Sequence, residues 1–174
     1  MKQIIPLFLF ILLTSSSYSQ ESKKTRGFQS SWEIGGGFTV LENKVGYLKV
    51  DFINGYKFNP TYSLRVGIGA RYAPVDKEKD KHWGRPGNNT WLVLPLYADF
   101  RANLGYTRFE KVYPYVQTKL GFAMLGVVFN QSIGLGLKNT PITIGLSGEI
   151  IRLVSEIETT GRCALIGLNL GVTF

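Results

Sequence analysis

The residues that could perform chemistry in this sequence are few. His82 is the only histidine, so metal sites built on paired histidines are excluded. A hydrolase acting on membrane lipids would need a serine and an acid beside that histidine, but His82 lies in a charged stretch without a nearby serine. The sequence also contains no G-x-x-x-x-G-K-S/T phosphate loop. We therefore predict no enzymatic activity and no catalytic, metal-binding or cofactor-binding residues.

The single cysteine, Cys163, rules out a disulfide within the chain. A lone cysteine in an exported protein can be a reactive thiol or form a bridge to another chain. More often it is a small apolar residue that fills space. We interpret Cys163 in this last way.

Charged side chains recur at every second position of several segments, as Lys49 and Asp51 or Asp99 and Arg101 do. Residues two apart in a strand share one face of the sheet. Charges of both signs could pair and fill the bore of a narrow barrel; the alternative is a solvated outer surface. We predict a charge network in the lumen. Its members are Glu33, Lys49, Asp51, Lys57, Arg65, Arg71, Asp99, Arg101, Lys119 and Glu149.

The segments that carry these charges have apolar residues at the intervening positions. In 163–174, every even position from Ala164 to Phe174 is apolar, which is the period-two pattern of a strand. Strands that cross a bilayer need about 9–11 residues, whereas globular strands average about 5–6. The pattern predicts an all-β, eight-stranded, antiparallel, up-and-down transmembrane barrel. Its predicted strands are 31–40, 45–58, 61–73, 91–104, 114–124, 127–138, 142–153 and 163–174.

The apolar face of the predicted barrel could point outward or inward. A soluble barrel of the lipocalin type would turn its apolar face inward around a ligand. The polar face here is rich in glycine, for example Gly67 and Gly69, and glycine suits a crowded lumen where bulky neighbours interlock. We therefore expect the apolar face to contact lipid. Aromatic residues near strand ends fit the interfacial girdles of such barrels; they are Trp32, Tyr56, Phe58, Tyr72, Trp91 and Phe174.

The first residues have the pattern of a secretory signal peptide. Lys2 provides a positive start, 4–13 is a short apolar run, and Ser17 and Ser19 fit the small-x-small cleavage rule. An uncleaved anchor helix would need about 20 apolar residues. We predict a signal peptide at 1–19, a flexible periplasmic lead-in at 20–30, a barrel at 31–174, and export to the outer membrane.

The net charge is +8, and its basic residues are scattered along the chain. An exported protein does not normally meet nucleic acid, so we predict outer-membrane lipids and lipopolysaccharide as partners and no nucleic acid. The charged connection 74–90 could contact lipopolysaccharide phosphates or an envelope protein; the alternative is a solvated loop. Its candidate contact residues are Lys77, Lys79, Lys81, His82, Trp83 and Arg85.

Three segments resemble a known family. They are V-Y-P-Y-V-Q-T-K-L-G-F (112–122), L-P-L-Y-A-D-F (94–100) and the terminal L-G-V-T-F (170–174). They are similar to the small outer-membrane β-barrel proteins common in Bacteroidota. The resemblance implies an eight-stranded barrel and a terminal Phe174 read by the barrel-insertion machinery. It implies no catalytic residues.

The expected role is a structural or loop-presenting interaction scaffold in the outer membrane. A narrow channel for ions or small solutes is an alternative, although eight strands leave a bore only wide enough for side chains. A component of a secretion or assembly complex is another. A lipid-modifying enzyme is the least favoured.

Overall fold

The computed structural model describes residues 26–40, 45–74, 90–106, 111–123, 126–153 and 162–174. These ranges contain no helix that is long and apolar enough to cross a membrane. Nine strand segments form one sheet. They are β1 (Gly27–Thr39), β2 (Gly46–Lys57), β3 (Tyr62–Pro74), β4 (Thr90–Val93), β5 (Leu96–Asn103), β6 (Val112–Ala123), β7 (Gly126–Leu137), β8 (Ile142–Leu153) and β9 (Arg162–Thr173).

The sheet closes on itself. All strand pairings are antiparallel, and β1 pairs with both β2 and β9. Because β4 and β5 both pair with β3, they are two pieces of one barrel strand, and the closed barrel has eight strands. The break falls at Leu94 and Pro95, where proline has no N–H to give to the ladder. The predicted eight-stranded antiparallel fold is confirmed, and the strand predicted at 91–104 is interrupted.

The two ends of the barrel differ. At one end Asn59 Oδ1 accepts hydrogen bonds from the backbone N–H groups of Thr61 and Tyr62, at 2.8 and 2.7 Å, which fixes a tight turn. Ser30 and Phe174 exchange backbone hydrogen bonds of 2.8 Å at this end, and β1 begins at Gly27, before the predicted Ser31. We call it the turn end. The opposite end, where β3 leads into 75–89, is the loop end.

The barrel wall has an apolar outside and a polar inside. Leu120 and Leu168 are 58% and 59% exposed, whereas Asp51 and Arg71 are fully buried. Globular proteins in water bury most aliphatic side chains and almost never bury charged ones unless they are paired. The lipocalin-type arrangement, with an apolar interior, is therefore not the one this barrel adopts.

One part of the interior is nevertheless apolar. At the loop end, inward positions carry aliphatic and aromatic residues in contact with one another. The predicted lumen contained no such apolar layer. Its members are Tyr47, Ala73, Val93, Val128, Ile151, Cys163 and Leu165. Cys163 is a free, buried thiol within this layer.

Candidate functional site

The centre of the lumen is built around Arg71 on β3. Its Nε donates to Glu149 Oε1 at 2.8 Å, and its Nη1 and Nη2 donate to the two oxygens of Asp51 at 2.5 and 3.3 Å. Asp51 lies on β2, next to β3, but Glu149 lies on β8. Three strands separate β3 from β8 in either direction around the barrel. The Arg71–Glu149 pair therefore spans the diameter of the bore.

A second pair crosses the bore in another direction. Lys119 Nζ on β6 lies 2.6 Å from Glu33 Oε2 on β1 and 2.8 Å from Asp51 Oδ2. β6 and β1 also have three strands between them on either side. Gln117 Nε2 donates to the other Glu33 oxygen at 2.8 Å. Asp51 joins the two crossing pairs, because it binds both Arg71 and Lys119.

Neutral side chains complete this network. Lys49 Nζ donates to Ser147 Oγ at 2.8 Å and lies 4.0 Å from Glu149 Oε2, which also accepts from Asn130 Nδ2 at 3.0 Å. We call the six connected charged residues the crossed ion-pair network. They are Glu33, Lys49, Asp51, Arg71, Lys119 and Glu149. Buried charges are tolerated when they are paired and their remaining hydrogen-bonding sites are filled, and here neutral donors assist.

The other four predicted network residues stand apart from it. Arg65 Nη2 lies 2.5 Å from Asp99 Oδ2, an ion pair whose atoms are not aligned as a hydrogen bond. Arg101 has no carboxylate partner in the described part of the chain: its guanidinium lies 3.9 Å from the centre of the Tyr115 ring, and its Nε donates to Asn103 Oδ1 at 3.0 Å.

Lys57 lies at the mouth of the turn end, away from the carboxylates. Its Nζ is 5.1 Å from the Tyr106 ring centre, and Lys138 Nζ is 4.9 Å from the same ring. Tyr106 also meets Tyr113 edge to face, with 4.8 Å between ring centres. Partial burial raises the pKa of Tyr106, and the neighbouring Tyr113 adds a smaller contribution in the same direction. Two aromatic rings and two lysine side chains therefore meet at this mouth.

Tyrosine rings fill the bore beside glycines of the adjacent strand or the next strand but one. A Cβ added to Gly67 would overlap the Tyr97 ring, and one added to Gly145 would overlap the Tyr115 hydroxyl. The glycines on the inner face thus make room for large side chains, which is the close packing that the sequence predicts. With two ion pairs across its diameter, the described part of the bore is packed with side chains.

The predicted charge network did not include the neutral polar residues of the lumen, although they obey the same alternation. They are Ser31, Ser63, Asn103, Gln117, Asn130, Ser132, Thr143, Ser147 and Asn169. Their period-two spacing was the signal that could have identified them.

Several predicted residues lie elsewhere. The loop candidates Lys77, Lys79, Lys81, His82, Trp83 and Arg85 lie outside the described residues. Phe174 is half-buried at the turn end, paired through its backbone with Ser30. In the ranges that the structure describes, no three His, Cys, Asp or Glu side chains are placed to share a metal ion.

No protein-family model matches the chain, and no curated protein matches it.

Proposed function

We propose that this protein is an integral outer-membrane β-barrel that acts as a structural or loop-presenting scaffold. The observation that carries the proposal is the inversion of its two faces. Leu120, Ile144 and Leu168, from three different strands, are each more than half exposed on the outside, while the charges are buried inside. A hydrocarbon environment favours such an exterior, since exposing this much aliphatic surface to water costs about 25 cal/mol per Å².

The dimensions of the wall support the same environment. β2, β6, β7, β8 and β9 each have 12 residues. At about 3.3 Å per residue and a tilt near 45°, such a strand rises roughly 28 Å, close to the apolar band of about 25 Å on outer-membrane barrels.

An aromatic cluster on the outside of the turn end also supports it. Tyr56 packs edge to face with Phe28 and with Phe58, in both cases with ring centres 5.4 Å apart. Nearby, Tyr62 stacks on Phe100 at 6.0 Å. Aromatic rings at this level are typical of the boundary between hydrocarbon and headgroups.

The filled lumen favours a scaffold over a channel. The crossed ion-pair network and the apolar layer at the loop end both obstruct the described bore, so solute could pass only if these side chains moved. The alternative, a narrow channel, predicts discrete conductance steps in planar bilayers that change in an Arg101→Met variant. Bilayers that show no conductance would reject the channel and leave the scaffold as the proposed function. The buried carboxylates of the network are engaged with cations, which supports the proposal that the protein is not an enzyme.

The proposal includes partners and a lineage. The partners are outer-membrane lipids, lipopolysaccharide, the barrel-insertion machinery acting on Phe174, and an envelope protein bound by the connection 74–90, in a secretion or assembly complex if the scaffold serves one. Membership of the small outer-membrane barrel family of Bacteroidota, and export by the signal peptide, belong to the same proposal. An eight-stranded barrel is compatible with that family without identifying it.

Cell fractionation with heat-modifiable gel migration tests the proposal. We expect the chain in the outer-membrane fraction, with a folded band that shifts on boiling. Deleting 77–88 should preserve this shift, because the barrel strands are untouched, and should release an envelope partner from co-purification. A chain recovered in the soluble periplasmic fraction would contradict the proposal.

A further inference from the structure

The buried polar atoms that lack a hydrogen-bond partner are concentrated on one wall of the bore. Among the described residues, all but the Tyr47 hydroxyl belong to β3 and β5, which pair with each other. Buried polar atoms in proteins are nearly always satisfied, so such a concentration indicates a missing ligand or water. The atoms on this wall are Ser63 Oγ, Arg65 Nε and Nη2, Tyr97 Oη, Asp99 Oδ1 and Oδ2, and Arg101 Nη2. Of these, Arg65 Nη2 and Asp99 Oδ2 lie 2.5 Å apart and are each other's partners in an ion pair.

Ser63 and Arg101 lie two residues closer to the turn end than the Arg65–Asp99 ion pair, and their unpartnered atoms, Ser63 Oγ and Arg101 Nη2, can both donate. Arg65 Nε is a third donor without a partner. Ser63 pairs directly with Arg101 on one side and with Lys57 on the other. Ser63 therefore lies between two cations. Arg101 pairs in turn with Gln117, so the four residues paired in this row across the strands include no carboxylate.

Arg101 is the residue that most needs a partner. It is 4% exposed, and its contacts with Tyr115 and Asn103 leave Nη2 without an acceptor. A buried charge without a counter-charge costs several kcal/mol. Water could accept the hydrogen bond, but only an anion also balances the charge.

We propose that Lys57, Ser63, Arg65 and Arg101, here called the basic site, bind a small free oxyanion of the phosphate class. Tetrahedral oxygens can accept from the Ser63 hydroxyl and from both guanidinium groups, and Arg donors suit phosphate geometry. Lys57 is half-buried at the mouth, so the anion enters from the turn end. The inference depends on the barrel interior alone and is independent of where the protein resides.

Titration calorimetry on the full chain, folded in a non-ionic, phosphate-free detergent, tests this site. The probe is inorganic phosphate, with ionic strength held constant by sodium chloride. We expect saturable binding that weakens about tenfold or more in Arg101→Met, since a hydrogen bond to a charged group contributes about 1.5–3 kcal/mol. Lys111→Met is the matched control, because it removes one positive charge from an exposed position at the same end, and it should bind as the wild type does.

Ser63→Ala provides a second variant should Arg101→Met fail to show the heat-modifiable band of a folded barrel. It removes a single hydroxyl and should weaken binding by a smaller factor. Absence of saturable binding by the wild type would overturn the proposal, as would equal binding by the wild type and both variants. Binding of phosphatidic acid in mixed micelles without binding of inorganic phosphate would also overturn it, because the ligand would then be a lipid headgroup at the mouth.

Discussion

Arg71 and Glu149 form an ion pair across the full diameter of the barrel, with Nε 2.8 Å from Oε1. The two residues are 78 positions apart in the sequence and lie on strands with no backbone contact between them. Backbone hydrogen bonds fix each strand to its neighbours, whereas this pair fixes opposite walls to each other. Glu33 and Lys119 do the same in a second direction.

Removing Arg71 should therefore be far more costly than removing Arg101. Arg71→Met leaves Asp51 without one cation and Glu149 without its closest one. We expect a loss of about 3–5 kcal/mol in the free energy of unfolding, as for other buried pairs that lose one partner.

Arg101→Met is the control for this prediction, because it removes a buried cation that has no carboxylate partner in the described chain. Its effect should be clearly smaller. Urea unfolding of the two variants in the same lipid vesicles, followed by tryptophan fluorescence, measures both. Equal losses would show that pairing across the bore does not stabilise the barrel.

The second crossing pair should show energetic coupling. In a double-mutant cycle, the variant carrying both Lys119→Met and Glu33→Gln should lose less free energy of unfolding than the sum of the losses in the two single variants. The expected coupling energy is about 0.5–3 kcal/mol. The physical reason is that each single change leaves one charge buried. A coupling energy of zero from the same unfolding experiment would contradict the geometry.

Two glycines on opposite faces give a matched test of lumen packing. Gly67→Ala would drive a methyl group into the Tyr97 ring, and Gly148→Ala would place one in open space outside the wall. We expect the first to cost about 1–3 kcal/mol and the second to be nearly neutral. Comparable unfolding free energies for the two variants would mean that the Tyr97 ring does not pack on Gly67.

A polar residue on the outer face tests its environment. Gln131 is exposed, its Oε1 accepts from Thr118 Oγ1 at 3.0 Å, and it lies at mid-length of β7. In a bilayer, Gln131→Leu should leave the barrel at least as stable, because it replaces an amide with an aliphatic side chain. Leu120→Arg should cost about 2–4 kcal/mol at mid-depth. If Gln131→Leu lowered the free energy of unfolding in vesicles more than Leu120→Arg does, this face would lie in water.

Much of the fold follows from local pattern. The alternation of apolar and polar residues in 163–174 or 62–74 assigns each side chain to a face, whatever the neighbouring strand is. Strand length and glycine placement then favour a barrel with a crowded interior. These features depend on one strand at a time, so a sequence suffices for them.

The contacts inside the bore depend on the stagger of all strands together. Nothing local makes Arg71 meet Glu149 while Arg101, also inward-facing, meets Tyr115 instead. The alternation likewise does not reveal that inward positions such as Val128 and Ile151 form an apolar layer at one end, since both faces of a short stretch there are apolar. Pro95 was a visible strand breaker, but its position between two strand pieces became clear only from their shared pairing with β3.

The central claim is that the apolar outer face of the barrel wall contacts hydrocarbon. Spin labels along β9 test it most directly. In a Cys163→Ala background, single cysteines at 166, 168 and 170 would be labelled in vesicle-reconstituted protein. Collisions with dissolved oxygen and with a water-soluble nickel complex are then measured by electron paramagnetic resonance. We predict high oxygen and low nickel accessibility at Ile166, Leu168 and Leu170. Nickel accessibility at those three positions comparable to that of a soluble protein's surface would contradict the account.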